Sequence, residues 1–240
     1  MTVDKQALRE RVWDALEEQN QARFPFPPHG RIPNFKGCEA AAERVVETAV
    51  WQAAESIKAN PDSPQKPLRR AALEAGKTVY MAVPRLRDEK PFLELDPARI
   101  DDIDRAVTIA GSSELGVQVA PEDVPEIDCI VSGSVAVTPD GDRVGKGEGY
   151  SDLEFAVLRE FGLVDDDTPV VTTVHDLQVV DEDVPVGPHD VSLDLVATPS
   201  TTYRPEPRPK PTGLDWDLLD EERLSEIPVL ARLAENCDWE

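Results

Sequence analysis

Apolar residues recur at helical spacing from the start of the chain. In residues 4–20 (DKQALRERVWDALEEQN), Leu8, Val12 and Leu16 fall on one stripe and predict an amphipathic helix. The pattern breaks at 24–37 (FPFPPHGRIPNFKG), a Pro- and Gly-rich stretch that reads as an ordered loop or a lid. Helical spacing returns over 40–58, with Val45, Val46, Ala49 and Trp51 inward, and predicts one long helix. Ser63 is placed to cap a further helix over 64–75, which Gly76 ends.

Short apolar runs of strand length lie between the helical stretches, at 79–83, 117–119, 127–137 (IDCIVSGSVAV), 169–174 (PVVTTV) and 191–197. Further helices are expected at 101–110 and 152–161. This alternation predicts an α/β fold: a largely parallel sheet flanked by helices, in a three-layer Rossmann-like architecture. Residues 1–200 are expected to form that domain. Residues 201–240 open with a stiff connector (RPEPRPKP) and end in an apolar set of Trp216, Leu219, Leu224, Ile227, Leu230 and Leu233. This tail is expected to pack on the domain or on a partner subunit, with Pro228 interrupting any helix.

The candidate chemistry gathers in 138–154 (TPDGDRVGKGEGYSDLE). A turn at Pro139-Asp140-Gly141 leads to Gly145, Gly147 and Gly149 at alternate positions, threaded with Arg143 and Lys146. Ser151 or Asp152 is placed to cap the following helix. A strand, a basic glycine loop and a helix N-terminus in that order offer backbone N–H groups to an anion. The spacing matches neither common nucleotide motif. The last interval of a dinucleotide fingerprint differs, and Gly141 to Lys146 is one residue short of a Walker loop. A solvated hairpin turn would use the same glycines.

Charge sharpens the choice. The 240 residues hold 25 Lys and Arg against 48 Asp and Glu, a net charge of −23. Two cations inside a glycine turn run against that composition, and a phosphate would account for them. The acidic excess argues against nucleic acid or an anionic membrane as partner. Only eight of the basic residues are lysine, which suggests adaptation to molar salt. No run is long and apolar enough to span a bilayer and the N-terminus lacks a leader-like apolar segment, so a cytoplasmic location is expected. Cys38, Cys129 and Cys237 are too scattered for a metal or disulfide framework, and Cys129 reads as core.

Residues 142–152 (DRVGKGEGYSD) resemble the D/G-x-R-L-G-x-G-x-G-Y-Y-D signature of the 5-formyltetrahydrofolate cyclo-ligase family, also called methenyltetrahydrofolate synthetases. The resemblance runs over about residues 4–199. Arg31-Ile32-Pro33-Asn34-Phe35, Asn60-Pro61-Asp62 and Thr172-Thr173-Val174-His175-Asp176 place it nearest the family's domain-containing branch. It implies ATP-dependent conversion of 5-formyltetrahydrofolate to 5,10-methenyltetrahydrofolate by a monomer or homodimer. It implies that Lys5 and Arg9, one face of the first helix, reach the ATP phosphates with Arg143, Gly145, Lys146, Gly147, Glu148 and Gly149, and that Tyr150 also borders the ATP. Arg143 and Lys146 would carry the catalytic charge, Asp62 and Tyr150 would contact the reduced folate, and Asp152 would bind Mg²⁺. Ser151 stands where the family has a second aromatic, and Leu153-Glu154 where a basic residue follows. A non-catalytic nucleotide- or folate-binding regulator on the same scaffold is the alternative, and an ATP-dependent ligase of another acceptor a third reading. The pairs His175-Asp176 and His189-Asp190 lie near strand boundaries and read as architectural without a third ligand.

Overall fold

The computed structural model describes residues 3–236; Cys237 lies outside them. The first apolar stripe folds as α1 (Lys5–Glu18), begun by Asp4 accepting the Ala7 N–H, with Leu8, Val12, Trp13 and Leu16 buried. The long helix expected over 40–58 is instead three elements. Thr48 takes an extended conformation and splits it into α2 (Cys38–Val46) and α3 (Ala49–Ala53), capping the second piece through the Trp51 N–H. The remainder, Ser56–Ala59, is β1, and all four residues are buried. Lys58 hid this strand, because a lysine in an apolar run is normally read as a solvated position. Here it is neutralised inside the protein.

A 3₁₀ turn at Ser63–Gln65 leads into α4 (Lys66–Glu74), so Ser63 lies within the turn and does not cap the helix. The chain continues through β2 (Thr78–Ala82), β3 (Phe92–Leu95), α5 (Ile103–Ala106), α6 (Ile109–Leu115) and β4 (Val117–Val119). The single strand expected over 127–137 is broken. It forms β5 (Cys129–Val131) and β6 (Ala136–Val137), and between them the Gly133 N–H turns aside to the Asn60 side-chain oxygen. β7 (Arg143–Val144) pairs antiparallel with β6 in a two-stranded ladder apart from the main sheet. Next come α7 (Tyr150–Glu160), β8 (Val170–Thr173), β9 (Leu195–Ala197), β10 (Thr202–Tyr203), α8 (Glu221–Glu226) and α9 (Pro228–Asn236).

The main sheet runs β10-β9-β8-β5-β1-β2-β3-β4. Its centre, from β9 to β2, is parallel, and antiparallel strands close both sides. Alternate residues feed two cores. Ile57, Val79, Cys129 and Val131 face α2, α3 and α4, whereas Tyr80, Ile130, Val170 and Val196 face α7. A third cluster seats α1 on the β6–β7 ladder through Leu8, Val12, Ala136 and Val144. The α/β, largely parallel, helix-flanked architecture expected from the alternation is the one observed. The tail joins the α7 side: Ile227, Val229 and Leu230 are buried there, and Pro228 opens α9 one residue after Ile227 ends α8. Among the described residues no helix is long and apolar enough to cross a membrane.

Candidate active site

Strand order reverses direction at β1: β2 lies on one side and β5 on the other. Parallel α/β sheets open a crevice at the carboxyl ends of such strands. Here that place is occupied by Asn60-Pro61-Asp62 after β1 and Ser132-Gly133 after β5. The first segment is held by Arg69, which is fully buried. Its guanidinium donates to the carbonyls of Asn60 (2.6 Å), Pro61 (3.1 Å), Asp62 (3.0 Å) and Val107 (3.0 Å). Burial lowers its pKa to about 10, opposed by Asp62. Asn60 links the two segments, accepting from the Gly133 N–H at 3.0 Å and the Ser151 hydroxyl at 3.2 Å. Its amide donates at 3.0 Å to Glu154, which also takes the ammonium of Lys58. Those two charges are almost sealed from water, with side chains 1% and 8% exposed. An ion pair so placed needs further hydrogen bonds, and the Asn60 amide supplies one to Glu154.

Two cavities open at this end, and residues 145–149 stand between them. The first, about 360 Å³, is lined by Asp62, Met81, Arg85, Gly133, Lys146 and Tyr150 among others. Gly133 is required by close approach, since a Cβ there would lie 2.9 Å from an Asp62 carboxylate oxygen. Burial raises the pKa of Asp62, outweighing the cations Lys146 and Arg69. Arg85 holds a left-handed backbone (φ 59°) at the rim, and no sequence signal marked it. The second cavity, about 290 Å³, is lined by Lys5, Arg9, Gly147, Gly149 and Asp190, and by tail residues.

The glycine loop is positioned from both ends. At its base Arg143 donates to the Gly133 carbonyl at 3.1 Å and pairs with Asp152, whose Oδ1 also accepts the Val191 N–H at 3.1 Å. The Arg143 Nε is buried without a hydrogen-bond partner among the described residues. At its tip Arg9 donates to the Gly145 carbonyl at 2.7 Å, and its guanidinium covers Gly147 (φ 105°). Burial lowers the Arg9 pKa, with Asp4 opposing. Lys146 pairs with Glu148 at 2.7 Å, and Lys5 with Asp190 at 2.9 Å. Gly149 occupies the N-cap of α7 in a left-handed conformation, so no side chain caps this helix. That corrects the expected Ser151 or Asp152 cap: Ser151 bonds Ser132 and Asn60, and Asp152 bonds Arg143. The helix therefore presents unsatisfied N–H groups at its first turn.

The candidate residues thus fall into two sets. Lys5 and Arg9 share the second cavity with Gly147, Asp62 and Lys146 share the first, and Arg143, Gly145, Glu148, Gly149 and Asp152 border both. The histidines play other parts. His175 Nδ1 accepts the Leu177 N–H to start a turn, and burial lowers its pKa. His189 stands at the edge of the second cavity. Cys38 and Cys129 are buried, and burial pushes both thiols up to about 12, far from nucleophilic.

The model of the 5-formyltetrahydrofolate cyclo-ligase family matches residues 1–199. The chain belongs to this family. It is 43% identical over 238 residues to a mouse methenyltetrahydrofolate synthase domain-containing protein, covering 97% of this chain and 64% of the relative. The human protein of the same description is 39% identical over 237 residues, covering 96% and 61%. The chain thus spans less than two thirds of the length of these relatives. In solved structures it is similar to a 5,10-methenyltetrahydrofolate synthetase from Aquifex aeolicus, with a TM-score of 0.51 and 19% identity over 83% of this chain and 92% of that one. That likeness establishes the shared cyclo-ligase fold.

Proposed function

We propose that this cyclo-ligase family member binds ATP in the second cavity and a reduced folate in the first, and closes 5-formyltetrahydrofolate to 5,10-methenyltetrahydrofolate. The observation that carries the reading is the glycine loop as a shared wall. Lys5 and Arg9 line one cavity, Asp62, Lys146 and Tyr150 line the other, and the uncapped helix N-terminus at Gly149 borders both. Phosphoryl transfer needs such alignment and charge neutralisation more than a covalent nucleophile. The formyl oxygen attacks the γ-phosphorus as the bond to ADP breaks. The neighbouring folate amine then attacks the activated carbon and loses its proton, and the carbon–oxygen bond breaks so that phosphate leaves with that proton. Lys146 at the loop tip would neutralise charge on the transferred group, and Lys5 and Arg9 would orient the phosphates. Asp62, whose raised pKa favours its protonated form, suits hydrogen bonding to a pterin edge.

Mg²⁺ would supply further charge neutralisation. Asp152 is already committed to Arg143, and no group of three or more acidic, histidine or cysteine side chains among the described residues could hold a metal. The ion would then take its oxygens mainly from phosphate and water.

The second reading, a non-catalytic binding module, is favoured by one observation: the Lys146 ammonium is already matched by Glu148. Purified protein with ATP, Mg²⁺ and 5-formyltetrahydrofolate separates the two. Methenyl absorbance with stoichiometric ADP, abolished in Lys146→Ala, supports the enzyme. ATP binding without product supports the module, and ADP release that depends on a different acceptor supports another ligase.

A further inference from the structure

We infer that the tail segment 213–223, beyond the end of the family match, completes the second cavity as part of the nucleotide site, with Arg223 as a further phosphate-binding cation. This rests on the ATP reading above. Leu214, Leu218 and Leu219 of the tail line the cavity together with Leu153 and Ala156 of α7. Leu218 is 54% exposed and lines the cavity, so its side chain is open to an apolar group placed there. Arg9 and Arg223 line the same cavity, beside Lys5 paired with Asp190, Arg143 paired with Asp152, and the carboxylates of Glu148 and Asp215. Leucines and unpaired arginines in one cavity are the chemistry that takes a purine joined to a polyphosphate.

Arg223 is placed by two contacts with the loop. It donates to the Glu148 carbonyl at 2.9 Å, and its guanidinium lies 5.8 Å from the centre of the Tyr150 ring. Arg9 mirrors it, donating to the Gly145 carbonyl from the other side. Among the described residues neither arginine forms an ion pair, although the chain holds 48 acidic residues for 25 basic ones. Two arginines without a carboxylate at ion-pair distance, both bonded to one glycine loop, leave guanidinium charge for an anionic ligand. The segment is anchored without help from a ligand. Leu214 N–H bonds Glu160 at 2.7 Å, Arg87 pairs with Glu226 at 2.7 Å, and Ile227 and Leu230 are buried. None of these anchors uses the Arg223 side chain, so Arg223 can be altered without unseating the tail. The segment also lies within the region aligned with the mouse relative, since 97% coverage leaves out only about 3% of 240, or seven, residues.

The test compares the full chain with Arg9→Ala, Arg223→Ala, Arg223→Lys and Leu218→Ala, measuring binding of ATP, ADP, AMP and inorganic tripolyphosphate by calorimetry. Hydrogen exchange of residues 214–223 is followed with and without ATP. Arg223→Ala should weaken ATP at least tenfold at an unchanged unfolding midpoint, with a smaller loss for AMP and partial recovery in Arg223→Lys. Leu218→Ala should weaken ATP but leave tripolyphosphate unaffected, and ATP should slow exchange in the tail segment. If the full chain binds ATP and Arg9→Ala weakens it, but Arg223→Ala binds as the parent and tail exchange is unmoved, the tail assignment is overturned while the nucleotide site stands. If the parent binds no ATP, both fall.

Discussion

The base and the tip of the glycine hairpin carry one cation each, three positions apart, and the structure uses them in opposite ways. Arg143 at the base has 5% of its side chain exposed and is tied to Asp152 and the Gly133 carbonyl. Lys146 at the tip is 37% exposed and pairs with the 43%-exposed Glu148. The base is therefore a joint, and the tip is a surface offered to something else. A cation beside glycines can hold the loop or meet its ligand, and burial decides which.

Breaking the joint should have the largest effect. Arg143→Ala strands the Asp152 carboxylate and should cost about 3–5 kcal/mol of stability, measured by urea unfolding. Lys146→Ala should cost less than about 0.5 kcal/mol while abolishing product formation. Equal stability losses would erase the distinction. Next is Gly147→Ala, which forces a left-handed backbone onto a residue with a side chain beneath Arg9. A loss of about 1–3 kcal/mol is expected, together with weaker ATP binding.

Asp62 sharpens the comparison through pH. Its folded pKa is raised, so the folded state holds this proton where the unfolded chain has lost it. Stability then falls as pH rises above the ordinary carboxylate range and levels off above the folded pKa. Asp62→Asn should accordingly stabilise the protein at pH 7 and gain nothing at pH 3, while weakening folate binding. The same unfolding curves at both pH values check the sign. The smallest effect belongs to the Lys146–Glu148 pair. A double-mutant cycle should give about 0.2–1 kcal/mol in dilute buffer and nothing at 1 M KCl, where screening acts over about 3 Å. The Arg143–Asp152 coupling should survive that salt. The whole molecule should respond oppositely, its unfolding midpoint rising with KCl as the 48 carboxylates cease to repel one another.

What could be read from the residues follows the same division. α1, α7 and the glycine loop between β7 and α7 were legible, because helical periodicity and turn residues act locally. β1 was not. Its sequence, Ser-Ile-Lys-Ala, follows a helix without a breaker, and Lys58 belongs inside only because Glu154 arrives from 96 residues away. Arg69 was hidden likewise: in PLRRAAL it looks like a solvated helix position, yet it collects carbonyls from two loops. The available hint was that Lys58 and Glu154 each interrupt an apolar run, one in SIKA and the other in LEFAVL. The place of Tyr150 beneath a tail arginine had no local signal, since a Pro-rich connector separates the two parts of the chain.

The ladder that bears the glycine loop has a consequence for how such a protein can change. β6 and β7 pair with each other and stand outside the eight-stranded sheet, so the loop's tip can be rewritten without disturbing the strands that fold the molecule. Changes at Lys146 and Glu148 fall on a replaceable fitting, whereas Ser151 is bonded to Ser132 and Asn60 beside the main sheet. A lineage could exchange its acceptor chemistry there while inheriting the frame intact.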